Sequence, residues 1–222
     1  MIRRRCETAV MTLLLVALTG CAHAISGTAT WPGARLEKVV LTAADFPAGV
    51  HFDRIVRPSG QPDGAGGPPA MLSSPEGCSD GLTHAIAETA ERGPGSAAEY
   101  VVGYDGARIV MTVLTWQLDL ARLAATADRC AHFQTFFDPS APGIPMTTTR
   151  LPTPRTDALV YEQTMRLGNE ESSAYFTFEN VGRMAVFGIA FPTLNPSIAV
   201  KATLPQTFLD IAAKQAERAT SG

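Results

Sequence analysis

The stretch AEYVVGYDGARIVMTVLTW, residues 98–116, decides the fold. Two β-rich runs, Ala98 to Tyr104 and Arg108 to Trp116, flank Asp105-Gly106. Asp-Gly between two such runs is a strong two-residue hairpin signal. The spacing therefore predicts an antiparallel hairpin, and the chain on either side has to supply its neighbours.

Downstream, Ala158 to Leu167 alternates with period 2: Leu159, Tyr161, Met165 and Leu167 share one face, while Glu162, Thr164 and Arg166 take the other. Gly168-Asn169 turns the chain into Ser173 to Glu179, and Asn180-Val181-Gly182 turns it again into Arg183 to Phe191. These three runs predict a meander.

Helices are read around the strands. Ser74 as an N-cap and Pro75 as first helical residue predict a helix with Cys78, Leu82, Ala85, Ile86 and Thr89 on one stripe. Asp119 caps a second, with Leu120, Leu123, Ala127, Cys130 and Ala131 as its stripe, stopping before Pro139. A Pro-rich connection then runs through Pro154. A last helical segment starts at Asn195-Pro196, breaks near Pro205, and buries Leu204, Phe208, Ile211 and Ala212. Near the start, Leu36 to Leu41 reads as a short strand and Thr42 to Asp45 as a helical turn stopped by Pro47. Ten of the 21 residues from Arg57 to Gly77 are Gly or Pro, so that stretch reads as a surface loop. The order predicts one α+β domain over residues 36–218, an antiparallel sheet with helices mainly on one face in a two-layer sandwich. There is no internal repeat of 20–50 residues.

The chain has 222 residues, 45% hydrophobic and 18% charged, with a net charge of −3 and no long basic run. That composition supports a packed domain and argues against nucleic acid as a partner. Its first residues read as an address. Arg3, Arg4 and Arg5 precede Ala9 to Leu18, in which Thr12 is the one polar residue. A positive region, a short apolar region and small residues mark a secretory signal over residues 1–20, too short to span a bilayer as a helix. Leu18-Thr19-Gly20-Cys21 resembles the bacterial lipobox, which implies cleavage before Cys21 and diacylglycerylation of its thiol. The other possibility is the Ala22-His23-Ala24 site of the ordinary signal peptidase, which would release a secreted protein. Residues 21–35 read as a tether. Loss of Arg3, Arg4, Arg5 and Glu7 with the leader moves the net charge from −3 to −5.

Of the four cysteines, Cys6 leaves with the leader and Cys21 is the lipidation candidate. Cys78 and Cys130 remain, and a lone pair in an oxidising compartment predicts a disulfide. Inert buried thiols, or a reactive cysteine near His132, are the alternatives. A covalent loop of about 53 residues would stabilise the fold by about 4 kcal/mol on the chain-entropy model.

The sequence spells out no catalytic constellation. Gly95-Ser96 lacks the spacing of a nucleophile elbow. Gly64-Ala65-Gly66-Gly67 lacks the Lys of a phosphate loop. His23, His51, His84 and His132 show no zinc spacing, so neither a metal nor a cofactor is expected. Asp128 and His132, four apart on the expected helix, read as a surface ion pair rather than a dyad. Glu170-Glu171 reads as a solvated turn. The strand aromatics Tyr100, Tyr104, Trp116, Tyr161, Tyr175, Phe176, Phe178, Phe187 and Phe191 read mainly as core. Were one sheet face left uncovered, they could line a groove for an apolar ligand.

Four features carry a family resemblance: Leu41-Thr42-Ala43-Ala44-Asp45-Phe46-Pro47-Ala48-Gly49, Cys78, Cys130, and the C-terminal segment Phe208 to Ala213. In these, residues 36–218 resemble actinobacterial, chiefly mycobacterial, cell-envelope lipoproteins whose body is similar to the extracytoplasmic sensor domain of the kinase H type of receptor Ser/Thr kinase. The resemblance implies a ligand cleft of unassigned specificity. The sequence departs from the kinase type in having no cysteines for that domain's second disulfide and no kinase segment. The expectation is a non-catalytic protein held on the outer face of the cell membrane through Cys21, binding a small apolar ligand, an envelope component or a protein partner. The alternative is a small hydrolase using His84 or His132.

Overall fold

The computed structural model describes residues 32–56, 71–84 and 95–221. The signal segment, Cys21, most of the tether, Gly64 to Gly67, and Ala85, Ile86 and Thr89 lie outside them.

Nine antiparallel strands form one sheet: β1 (His51–Ile55), β2 (Leu72–Ser74), β3 (Ala97–Tyr104), β4 (Gly106–Leu114), β5 (His132–Phe136), β6 (Ile144–Leu151), β7 (Ala158–Leu167), β8 (Glu170–Val181) and β9 (Met184–Thr193). Their spatial order is β1-β3-β4-β9-β8-β7-β6-β5-β2. Among the described residues three α-helices accompany them: α1 (Pro32–Val39), α2 (Leu120–Arg129) and α3 (Gln206–Ser221). The hairpin around Asp105-Gly106 pairs in register from Tyr104 with Ala107 to Ala97 with Leu114, and the meander of β7, β8 and β9 is present. The α+β class therefore stands, with the sheet larger than expected.

Period-2 alternation sends neighbouring residues of one strand to opposite faces. On β9, Met184, Val186 and Ala190 join a cluster with Phe208, Ile211 and Ala212 of α3 and Leu36 and Val39 of α1. Ala185 and Phe187 join another with Leu123 and Ala127 of α2, Tyr161 of β7, and Phe176 and Phe178 of β8. Helices thus lie against both faces, and the two-layer arrangement with helices mainly on one face is corrected. α2 is amphipathic, and its buried stripe covers the face that α1 and α3 leave open.

Other expectations are corrected locally. Leu36 to Leu41 is not a strand: Leu36, Val39 and Val40 recur at helical spacing and are buried, while Glu37 and Lys38 are exposed. Helical periodicity here outweighs the β-preference of two consecutive valines. Buried Gln215 of α3 closes the end of α1, donating from Nε2 to the Val39 carbonyl (2.8 Å) and accepting from the Leu41 N–H (3.1 Å).

Ser74 does not cap a helix. It ends β2, paired with Gln134, so part of the expected Arg57–Gly77 loop is a strand. Ser73 Oγ then accepts from the N–H groups of Cys78 (2.9 Å) and Ser79 (3.3 Å), turning the chain at once. α2 ends at Arg129 with Cys130 as its cap; His132 and Phe133 belong to β5, and Thr-rich β6 occupies the expected Pro-rich connection. The last helix begins at Gln206, beyond Pro205, and Phe208, Ile211 and Ala212 are buried as expected.

Candidate functional site

The Cys78 turn lies against α2, and between them and residues 116–119 opens a cleft of about 430 Å³. Each wall is held in place. Asp119 caps α2 by accepting from the Arg122 N–H at 2.9 Å. The segment leading into it is pinned from the end of β8 and the β8–β9 turn: Asn180 accepts from the Leu118 N–H (2.8 Å) and donates to the Leu118 carbonyl (2.9 Å), while Gln117 donates to the Gly182 carbonyl (2.6 Å). On the opposite wall, a Cβ at Gly81 would lie 2.9 Å from the Gly77 carbonyl oxygen and 3.0 Å from Thr126 Cγ2. Only glycine lets this turn approach the helix so closely.

Cys78 and Cys130 meet beneath the cleft with Sγ atoms 2.07 Å apart and Cα atoms 5.5 Å apart, the geometry of a disulfide. Both are buried with Phe133, against Met146. Arg129 donates from Nη1 to the Glu76 carbonyl at 2.9 Å, a second tie between α2 and the turn.

The lining mixes character. Trp116, Leu118 and Leu123 supply apolar surface, while Arg122, Arg129, Thr126, Asp80, His84 and Asp119 supply polar groups. His84 Nδ1 lies 3.6 Å from Asp80 Oδ2. Arg122, Thr126 and Arg129 stand at i, i+4 and i+7, a polar stripe beside the apolar one. That spacing was readable in the sequence, but nothing there marked it as facing a cavity.

The structure does not bring the histidines together. His84 lines the cleft, whereas His132 of β5 is exposed on the face opposite its buried neighbour Phe133. Asp128 lies on α2 and His132 on a strand, so their expected helical ion pair is corrected: the helix ends between them. His51 is exposed on β1, 3.4 Å from Asp53. Gly95-Ser96 leads into β3 with Ser96 buried. Glu170 and Glu171 are exposed at the β7–β8 turn, Glu171 paired with Arg166 at 3.1 Å. Among the described residues no group of three or more His, Cys, Asp or Glu could hold a metal ion, and no helix is long and apolar enough to cross a membrane.

The strand aromatics are mostly core. Tyr100, Tyr104, Tyr161, Phe176, Phe178 and Phe187 are buried, and α2 covers the face on which a groove of Tyr161, Phe176 and Phe178 would have opened. Of the nine, Trp116 enters the cleft.

No family model and no curated protein matches the chain. Among solved structures it is similar to the X-ray structure of a putative uncharacterized protein (Rv0999 ortholog) from Mycobacterium smegmatis. The identity is 13% and the TM-score 0.47, over 86% of this chain and 96% of that one.

Proposed function

We propose that the protein is a non-catalytic envelope lipoprotein, anchored through Cys21, whose cleft between α2 and the Cys78 turn binds a small molecule carrying both an apolar part and an acidic group. The observation that carries this reading is the cleft itself. Its volume of about 430 Å³ falls within the range of roughly 300–1,000 Å³ usual for small-ligand sites. An indole and two leucines share its lining with two guanidinium groups, so an amphipathic acid suits it better than the purely apolar ligand read from the aromatics. Arginine favours such a ligand because its planar donors match a carboxylate or phosphate. The lipobox, the lone Cys78–Cys130 pair and the resemblance to sensor-like lipoproteins support the location and the binding role.

Calorimetry and thermal shift with lysophosphatidylglycerol below its micelle concentration test the cleft. The mature chain is expected to show a saturable upward shift that Trp116→Ala and Arg122→Ala each weaken about tenfold or more. No shift, or an equal shift in both variants, overturns the reading. Mass spectrometry of the mature N-terminus tests the anchor separately: diacylglyceryl-Cys21 is expected, and a start beyond Cys21 removes it.

A further inference from the structure

A second cleft of about 460 Å³ opens at one end of the sheet, and its charge differs from that of the first. The β6–β7 connection brings Arg155, Thr156 and Asp157, the β8–β9 turn brings Arg183, and α1 brings Arg35. Three guanidinium groups face two carboxylates, one of which is already engaged. Glu179 is buried, and its Oε1 accepts from Arg155 Nε (2.6 Å) and Nη2 (2.5 Å). Burial pushes the Glu179 carboxyl above its usual range, and Arg155 works against that. The pair fixes the guanidinium at the cleft wall and leaves Nη1 outside the pair. An adjoining groove shares Arg155 and Thr156 and adds exposed Arg150.

The opposite end of the sheet has another character. There Glu170, Glu171 and Asp105 stand with Arg166, Arg108 and Lys201, so neither sign prevails. In a chain of net charge −3, the excess of Arg35, Arg150, Arg155 and Arg183 over Asp157 and Glu179 gives the body a direction.

That end is also where the chain arrives from its leader. Arg35 lies three residues into α1, whose first residue, Pro32, follows Cys21 by eleven residues. Eleven residues reach at most about 40 Å when fully extended. A lipid on Cys21 would keep this end beside the bilayer, where acidic headgroups attract each nearby arginine within a Debye length of about 8 Å.

We infer that the arginine cleft is the membrane-facing site of the protein and takes the phosphate of an anionic phospholipid headgroup. The inference rests on the anchor proposed above. Phosphate suits the site because a guanidinium offers it two parallel donors, and a bilayer suits it because Arg35, Arg150 and Arg183 are exposed at the same end. Docking there would hold the body in one orientation and stop it swinging freely on its tether.

The test uses the chain from residue 22 without its lipid, since the buried core residues of all three clusters lie between Leu36 and Ala219. Cosedimentation is measured on vesicles of equimolar phosphatidylglycerol and phosphatidylcholine and on phosphatidylcholine alone. Binding to the acidic vesicles alone is expected, weakened roughly tenfold or more by the exposed-site double variant Arg35→Glu/Arg183→Glu. Circular dichroism checks that this variant is folded. Glu170→Lys, at the far end, is expected to leave binding unchanged. Equal binding to both vesicles, no binding to either, or retention in the double variant overturns the inference. Inorganic phosphate that competes fully at millimolar concentration would make this a free-phosphate site and overturn the lipid assignment. Because this chain lacks the lipid, failure here is distinct from failure of the anchor, which the mature N-terminus reports.

Discussion

The two faces of the sheet are closed by different means. On one, α3 packs Phe208, Ile211, Ala212, Gln215, Ala216 and Ala219 into the core, and α1 adds Leu36 and Val39. On the other, α2 has Leu123 and Ala127 as its buried residues, and a disulfide ties its end to the chain beneath it. The first face gains its stability from packed apolar area, and the arginine cleft opens at its rim, against Arg35 of α1 and Ala219 of α3. Among the described residues the second has less to pack, and covalent closure keeps its walls together around a cleft.

The largest effect is expected on the packed face. Phe208 is fully buried, and its ring meets β9 where the chain has no side chain: a Cβ at Gly188 would lie 2.8 Å from Phe208 Cε2 and 2.7 Å from Met111 Sδ. Phe208→Ala is expected to cost about 4 kcal/mol in denaturant unfolding, through lost burial and the cavity left behind. Next comes Cys78→Ser/Cys130→Ser, expected to cost up to about 4 kcal/mol by freeing a loop whose ends are 52 residues apart. The two should differ in extent as well as size. Hydrogen exchange should rise across the whole sheet in the first variant and mainly in α2, β5 and β2 in the second. A disulfide variant that loosens α3 as much as α2 would break the distinction between the faces.

The two faces were unequally legible in the sequence. The hairpin and meander were readable because turn residues and period-2 alternation agree there, and Phe208, Ile211 and Ala212 were readable because helical period and burial agree. Around the cleft, local signals competed. Ser74-Pro75 looks like a helix start, yet Ser74 is already paired with Gln134 across a contact of long sequence separation. β5 is five residues long and β6 carries Pro145, so neither announces itself. Nothing in the sequence marks Arg122 and Arg129, because the opposite wall of their cleft comes from a turn far earlier in the chain. Cys78 and Cys130 were legible as a pair from compartment and count, and α2 was legible from its Asp119 cap and apolar stripe, while the turn that carries Cys78 was not.

Asp45 offers a smaller test on the packed face. It joins the turn after α1 to α3, pairing with Arg218, and its backbone carbonyl accepts from Lys214 Nζ. Burial pushes its carboxyl up, but hydrogen bonds from the Thr42 N–H and hydroxyl, with the charges of Arg218 and Lys214, outweigh burial and hold it below the ordinary value of 3.8. A carboxyl depressed in the folded state stabilises above its unfolded pKa, and that contribution is lost as pH falls through the folded one. Asp45→Asn is therefore expected to cost about 1 kcal/mol near neutrality and to flatten the acid side of the stability profile below pH 4, as followed by thermal unfolding. An unchanged acid limb would remove Asp45 from the closure of this face.

The smallest expected effect is also the most discriminating. Tyr100 is fully buried among Phe46 and Phe52, and its hydroxyl has no hydrogen-bond partner among the described residues. Burial, with the nearby Asp45 charge, pushes its ionisation far above the usual range, as expected of a phenol held in an apolar setting. An unpaired buried hydroxyl has lost its water contacts without replacement, so removing it leaves nothing unsatisfied. Tyr100→Phe is expected to leave stability unchanged or raise it by up to about 1 kcal/mol. A loss of that size would mean that water reaches the hydroxyl through the packed face, and the contrast between a closed side and an open one would then fail at its best-packed point.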